Sequence, residues 1–92
     1  MSEYVTVETE PTDNPDVVEI ITNQHLADST EVYADYDAGN IGSPIAQMLF
    51  NGVPGIAALT ITSDSLLITR DPAYTWEEII DEVRDALRDF FL

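Results

Sequence analysis

The chain has 92 residues, a hydrophobic fraction of 45%, a formal net charge of −15 and no cysteine. That length suits one domain over 1–92, and that apolar share excludes wholesale disorder. Without cysteine there is no disulfide, zinc–thiolate site, Cys-ligated cluster or thiol nucleophile, and so acidic a surface repels phosphate backbones and anionic lipids.

The first element is Tyr4-Val5-Thr6-Val7-Glu8-Thr9, whose β-branched residues predict a strand. Glu10-Pro11-Thr12-Asp13-Asn14-Pro15 follows as a turn-rich loop, since two prolines and an Asx-Pro step suit neither a helix nor a central strand. Val17-Val18-Glu19-Ile20-Ile21-Thr22 is a second strand, able to close a hairpin with the first. Residues 23–40 show no sustained period. Thr30 to Tyr33 offers a short extra strand, and Asp35-Tyr36-Asp37-Ala38-Gly39-Asn40 reads as a mobile acidic loop.

Ser43-Pro44 predicts a helix start, with Ser at the N-cap and Pro at the first helical position. Ile45, Met48 and Leu49 form its apolar stripe, and Gly52, Pro54 and Gly55 end it. Ile56-Ala57-Ala58-Leu59-Thr60-Ile61-Thr62 and Leu66-Leu67-Ile68-Thr69 then read as a hairpin turning at Ser63-Asp64. Alternation places Ala57, Leu59 and Ile61 on one face, opposite Leu66 and Ile68. Thr75-Trp76-Glu77-Glu78 is a capping box, and Trp76, Ile79, Ile80, Val83, Leu87 and Phe90 recur at three and four residues. Phe91 and Leu92 fall partly off that stripe, either covering a sheet edge or forming an exposed apolar spot. The order predicts an α+β two-layer sandwich, a mostly antiparallel four-stranded sheet with two helices on one face.

Candidate chemistry is sparse. His25, with Asp28 and Ser29 nearby, superficially offers base, acid and nucleophile. Residues so close in an irregular segment seldom hold triad geometry, and a solvated loop histidine is expected. Carboxylate pairs along the last helix lie opposite its apolar stripe and are solvated. Asp35, Asp37 and Asn40 lack the glycine and distal glutamate offsets of a calcium loop. Gly39-Asn40-Ile41-Gly42 matches no phosphate-binding pattern, and its glycines read as residues that let the chain turn into the helix. No catalytic residue, metal ligand or cofactor site is expected, and the chain reads as a binding domain, not an enzyme.

The acids are spread along the whole chain, which favours adaptation to a salty cytoplasm as the origin of the charge. A second reading stays open, in which the chain is an acidic regulator that mimics nucleic acid and occupies a basic protein. The acidic start, and the lack of any apolar run near the ~20 residues of a membrane span, lead to an expected cytoplasmic location.

The motifs also resemble a family. Thr9-Glu10-Pro11-Thr12-Asp13-Asn14-Pro15 is similar to the Thr-Glu-x-Thr-Pro-Asn-Pro signature of the N-terminal domain of Nfu (NifU-like) iron–sulfur scaffold proteins. Ser43-Pro44-Ile45-Ala46 with Leu49-Phe50 resembles its first helix. Pro54-Gly55-Ile56 resembles its Pro-Gly-Val step into a strand. The strand from Asp64 and the helix start at Trp76 also match in order. Asp13 stands where the family usually has proline, and Glu19 and Arg70 where it usually has lysine. Full members carry a second domain whose Cys-x-x-Cys pair holds the cluster, and this sequence has no such pair. The resemblance implies a non-catalytic accessory role in iron–sulfur assembly or delivery, by recognition of a client apoprotein or a partner scaffold. Thr9, Glu10, Thr12, Asn14 and Pro15, with Ser43 and Pro44 at the helix start, are the expected contact residues.

Overall fold

The computed structural model describes residues 5–91, so Tyr4 of the predicted first strand and Leu92 at the end lie outside the described residues. The elements are β1 (Val7–Pro11), β2 (Val17–Thr22), β3 (Glu31–Tyr33), α1 (Tyr36–Asn40), α2 (Pro44–Gly52), β4 (Ile56–Ile61), β5 (Ser65–Arg70) and α3 (Trp76–Phe90). The strands form one sheet in the order β1-β2-β5-β4-β3, and every neighbouring pair is antiparallel. The architecture is the expected two-layer α+β sandwich, with five strands where four were predicted. The fifth is β3, which pairs with β4 through only three residues and is too short to carry a period of its own.

Register explains which side is buried. Ile20 lies beside Leu66, Leu66 beside Ile61, and Ile68 beside Leu59, so these five side chains share one face and are fully buried. Alternation sends Glu8, Glu10, Glu19, Val32 and Leu67 to the other face, which no helix among the described residues covers. Glu10 stands directly across from Glu19 there, a like-charge pair that weakens a ladder. Ala57 departs from its predicted place. A register shift between Ile56 and Ala58 turns Ile56 inward and leaves Ala57 exposed, because a bulge breaks the two-residue period.

Both longer helices pack on the buried face. In α3, Ile79, Val83 and Leu87 are completely buried, and the predicted capping box is present, with Thr75 Oγ1 accepting from Glu78 N–H and Glu78 Oε2 accepting from Thr75 N–H. Burial dominates, since each such side chain contributes about 1.5–3 kcal/mol and a cap typically about 1 kcal/mol. Phe90, predicted in the stripe, is 40% exposed, while Phe91 packs against the core. In α2 the Ser43 cap holds, and the buried set is Ile45, Ala46, Leu49 and Phe50.

The segment predicted as a mobile acidic loop is the helix α1. Asp35 caps it through Ala38 N–H at 2.9 Å, but five residues cannot sustain a helix alone. Tertiary packing holds it. Gly39 is buried so close to the Phe50 ring that a Cβ there would overlap it, and Tyr36 meets the same ring edge-on at 6.2 Å. Gly39 therefore serves close approach and not a turn, since neither it nor Gly42 has a positive φ. Gly55 does, at +99°, where the chain leaves α2 for β4.

Candidate functional site

The turn between β1 and β2 is built from its own side chains. Thr12 Oγ1 donates to Val17 O at 2.8 Å and accepts from Asn14 N–H at 3.2 Å. Asn14 Oδ1 accepts from Asp16 N–H at 2.9 Å, and Asn14 O accepts from Val17 N–H at 3.0 Å. These are the local bonds that Thr and Asn offer a chain reversal. The predicted loop also begins later than expected. Pro11 completes β1, an edge strand, where proline is tolerated.

The turn is tied to the helix layer at Trp76. The indole Nε1–H donates to Pro15 O at 2.8 Å. Arg70 lies over the ring at 5.8 Å, its Nε donates to Asp16 Oδ1 at 3.1 Å, and its Nη1 donates to Tyr74 O at 3.0 Å. A planar guanidinium suits this double task of stacking and forked donation. Arg70 and Trp76 thus hold the turn in place, a role the sequence reading did not assign. The only signal in the sequence was a partly polar aromatic at the first helical position.

Thr9 and Glu10 are exposed on β1, and Pro15 is exposed beside Asn14. Ser43 and Pro44 sit at the other edge of the sheet, beside β3. Ser43 N–H donates to Tyr33 Oη at 3.1 Å, and Tyr33 belongs to β3. With β5 and β4 between β2 and β3, the two predicted contact segments are separated by roughly three strand spacings, about 14 Å. They do not form one continuous patch.

His25 is exposed, and its Nε2 lies 2.8 Å from Asp28 Oδ1. Beside it, Leu26 and Ala27 are buried and anchor an otherwise irregular segment, with Leu26 N–H donating to Ser63 O at 2.7 Å. Among the described residues no cluster of three His, Asp or Glu side chains is arranged to hold a metal, and no helix is long and apolar enough to cross a membrane. A thiolate-held cluster does not fit these residues, because the chain has no cysteine and a single, exposed imidazole.

The geometry can be set beside known proteins. The family model described as scaffold protein Nfu/NifU, N terminal, matches residues 7–92. A curated Drosophila persimilis protein, the mitochondrial NFU1 iron–sulfur cluster scaffold homolog, is 30% identical over 87 residues, which cover 92% of this chain and 30% of that one. The chain therefore spans under a third of that relative's length. The solution structure of a NifU-like protein from Saccharomyces cerevisiae superimposes with a TM-score of 0.75 at 25% identity, covering 94% of this chain and 77% of that one. With the family match running from β1 through the last helix, the chain belongs to the Nfu/NifU N-terminal scaffold family.

Proposed function

We propose that this chain is a non-catalytic recognition domain in iron–sulfur cluster assembly or delivery, binding a client apoprotein or a cluster-bearing scaffold. The observation that carries this reading is family membership over residues 7–92 in a chain with no sulfur ligand of its own. The cluster is then cargo held by a partner, and the contribution of this chain is surface contact.

Of the seven expected contact residues, Thr12, Asn14 and Ser43 commit polar groups to internal bonds. They shape the surface, while Thr9, Glu10, Pro15 and Pro44 are exposed to touch a partner. The turn's rigidity supports recognition, because a preformed loop loses little entropy on binding. The acids also lie on opposite sides of the molecule, Glu8, Glu10 and Glu19 on the open sheet face and Glu82, Asp85 and Asp89 in the helix layer. That dispersal weighs against mimicry of a single nucleic-acid track.

The test adds the purified chain to a Cys-x-x-Cys scaffold domain loaded with a cluster and to an apo client, and follows transfer by visible circular dichroism. Faster transfer, with binding detectable by titration, is the expected result. No binding to scaffold or client and no change in rate at any salt concentration would refute the proposal.

A further inference from the structure

The last helix sorts its charges. At about 100° per residue, Glu78, Glu82, Asp85 and Asp89 follow one another at four, three and four residues and stack in one column along α3. Arg84 and Arg88 stand on the opposite flank, where Arg84 Nη1 lies 3.2 Å from Asp81 Oδ1. The third cation, Arg70, is held by Asp16 beside Trp76, with its Nη1 on Tyr74 O. The column is thus a run of like charges at neighbouring helical positions, an arrangement that disfavours an isolated helix.

This column borders a groove. Between it and the end of α2 lies a hollow of about 470 Å³ with Met48, Ala86 and Phe90 among its walls and Glu82, Asp85 and Asp89 on its rim. A smaller hollow of about 150 Å³, lined by Pro54, Tyr74, Glu78 and Glu82, meets it at Glu82. The trough follows α3 from Glu78 to Phe90, roughly 18 Å at 1.5 Å per residue. No lining residue is basic. The facing wall is the C-terminal end of α2, which has no basic residue in its last turn, so its carbonyl ends add further negative potential. A Cβ placed on Gly52 would meet nothing within 4 Å, so the trough is open there.

Apolar side chains in the trough favour an apolar occupant, and both negative walls select cations around it. A length of about 18 Å accepts three helical turns, which present apolar anchors on one face and leave basic residues at its margins. We propose that this trough binds a cationic amphipathic helix of a partner protein, with anchors against Met48, Ala86 and Phe90 and Lys or Arg facing Glu82, Asp85 and Asp89. The site is separate from the β1–β2 turn. It deepens the recognition role and rests on it for the biological setting, while the physical interaction is testable alone.

The probe is a labelled synthetic peptide of about 14 residues made of Leu, Ala and Lys with one apolar face, titrated by fluorescence anisotropy at low and physiological salt. A second peptide has the same composition in an order that abolishes the face. Three variants accompany the wild type, each verified as folded by its melting curve: Glu82→Gln/Asp85→Asn/Asp89→Asn in the rim, Gly52→Trp to plug the open position, and Glu8→Gln/Glu19→Gln/Asp37→Asn as a charge-matched control elsewhere. The rim and plug variants are expected to weaken binding by about tenfold or more and the control by under about twofold, since only contacting charges are lost. Equal binding of the scrambled peptide, or equal loss in the control, would show general acidity only and overturn the proposal. If the peptide fails to bind but the chain still accelerates cluster transfer, the trough is refuted and the recognition role stands. If transfer is unaffected but the peptide binds as described, the reverse holds.

Discussion

Replacing Trp76 by Phe tests the physical link between the family-signature turn and the helix layer. Phenylalanine keeps an apolar ring at the start of α3 but removes the indole N–H that donates to Pro15 O at 2.8 Å. A hydrogen bond at so accessible a position contributes toward the low end of the usual range, about 0.5–1 kcal/mol. The Arg70 guanidinium, 5.8 Å from the ring centre, exchanges the indole face for the weaker phenyl face, a further ~0.5 kcal/mol. The sum is about 1–1.5 kcal/mol, and a domain of this size shifts its Tm by about 4–8 °C per kcal/mol, so a fall of about 4–12 °C is expected. Thermal unfolding by circular dichroism measures the shift. Amide exchange at Val17, whose N–H donates to Asn14 O, measures loosening of the turn itself. Adding Arg70→Gln to Trp76→Phe should cost less than the two single effects combined, because both groups hold the same turn. A Tm within about 2 °C of the parent with unchanged exchange at Val17 would show that the indole contributes nothing to the turn and would refute the reasoning.

Other consequences follow from single contacts. Asn14→Ala removes the acceptor for Asp16 N–H and is expected to cost about 1 kcal/mol in a urea melt; if partner binding survives at a temperature where the variant is folded, Asn14 shapes the turn without being read. Gly55→Ala forces a Cβ against Tyr74 at a φ of +99° and should destabilise by roughly 1–3 kcal/mol, seen as a lower Tm, whereas the same change at the open Gly52 should be neutral or stabilising. Stability should rise with KCl between about 0.1 and 1 M as the screening length falls from about 10 to 3 Å, since eighteen acids face three bases and Glu10 lies across from Glu19. A melting series without gain would show that self-repulsion is unimportant.

Several parts of the molecule were legible as sequence because their information is local. The capping box at Thr75 to Glu78 and the Ile79, Val83 and Leu87 stripe lie within four turns of one helix, so cap chemistry and periodicity place them. The Ser43 cap, β2 and the β4–β5 hairpin are local in the same sense, as is the ordered set of motifs that marked the family. The absence of cysteine alone excludes thiolate chemistry.

What tertiary structure decided involves residues far apart in the chain. α1 exists because Gly39 lets it close on Phe50, eleven residues away, which outweighs the poor helical prospects of an isolated five-residue segment. Strand β3 exists because β4 offers it an edge, and Ala57 points outward because the pairing of β4 with β5 shifts register there. The turn's anchor, Trp76 to Pro15, spans 61 residues, and the acidic trough needs α2 beside α3 before its walls meet. Periodicity reports a segment's own geometry, while the surfaces on which recognition depends arise only when separate segments are brought into register.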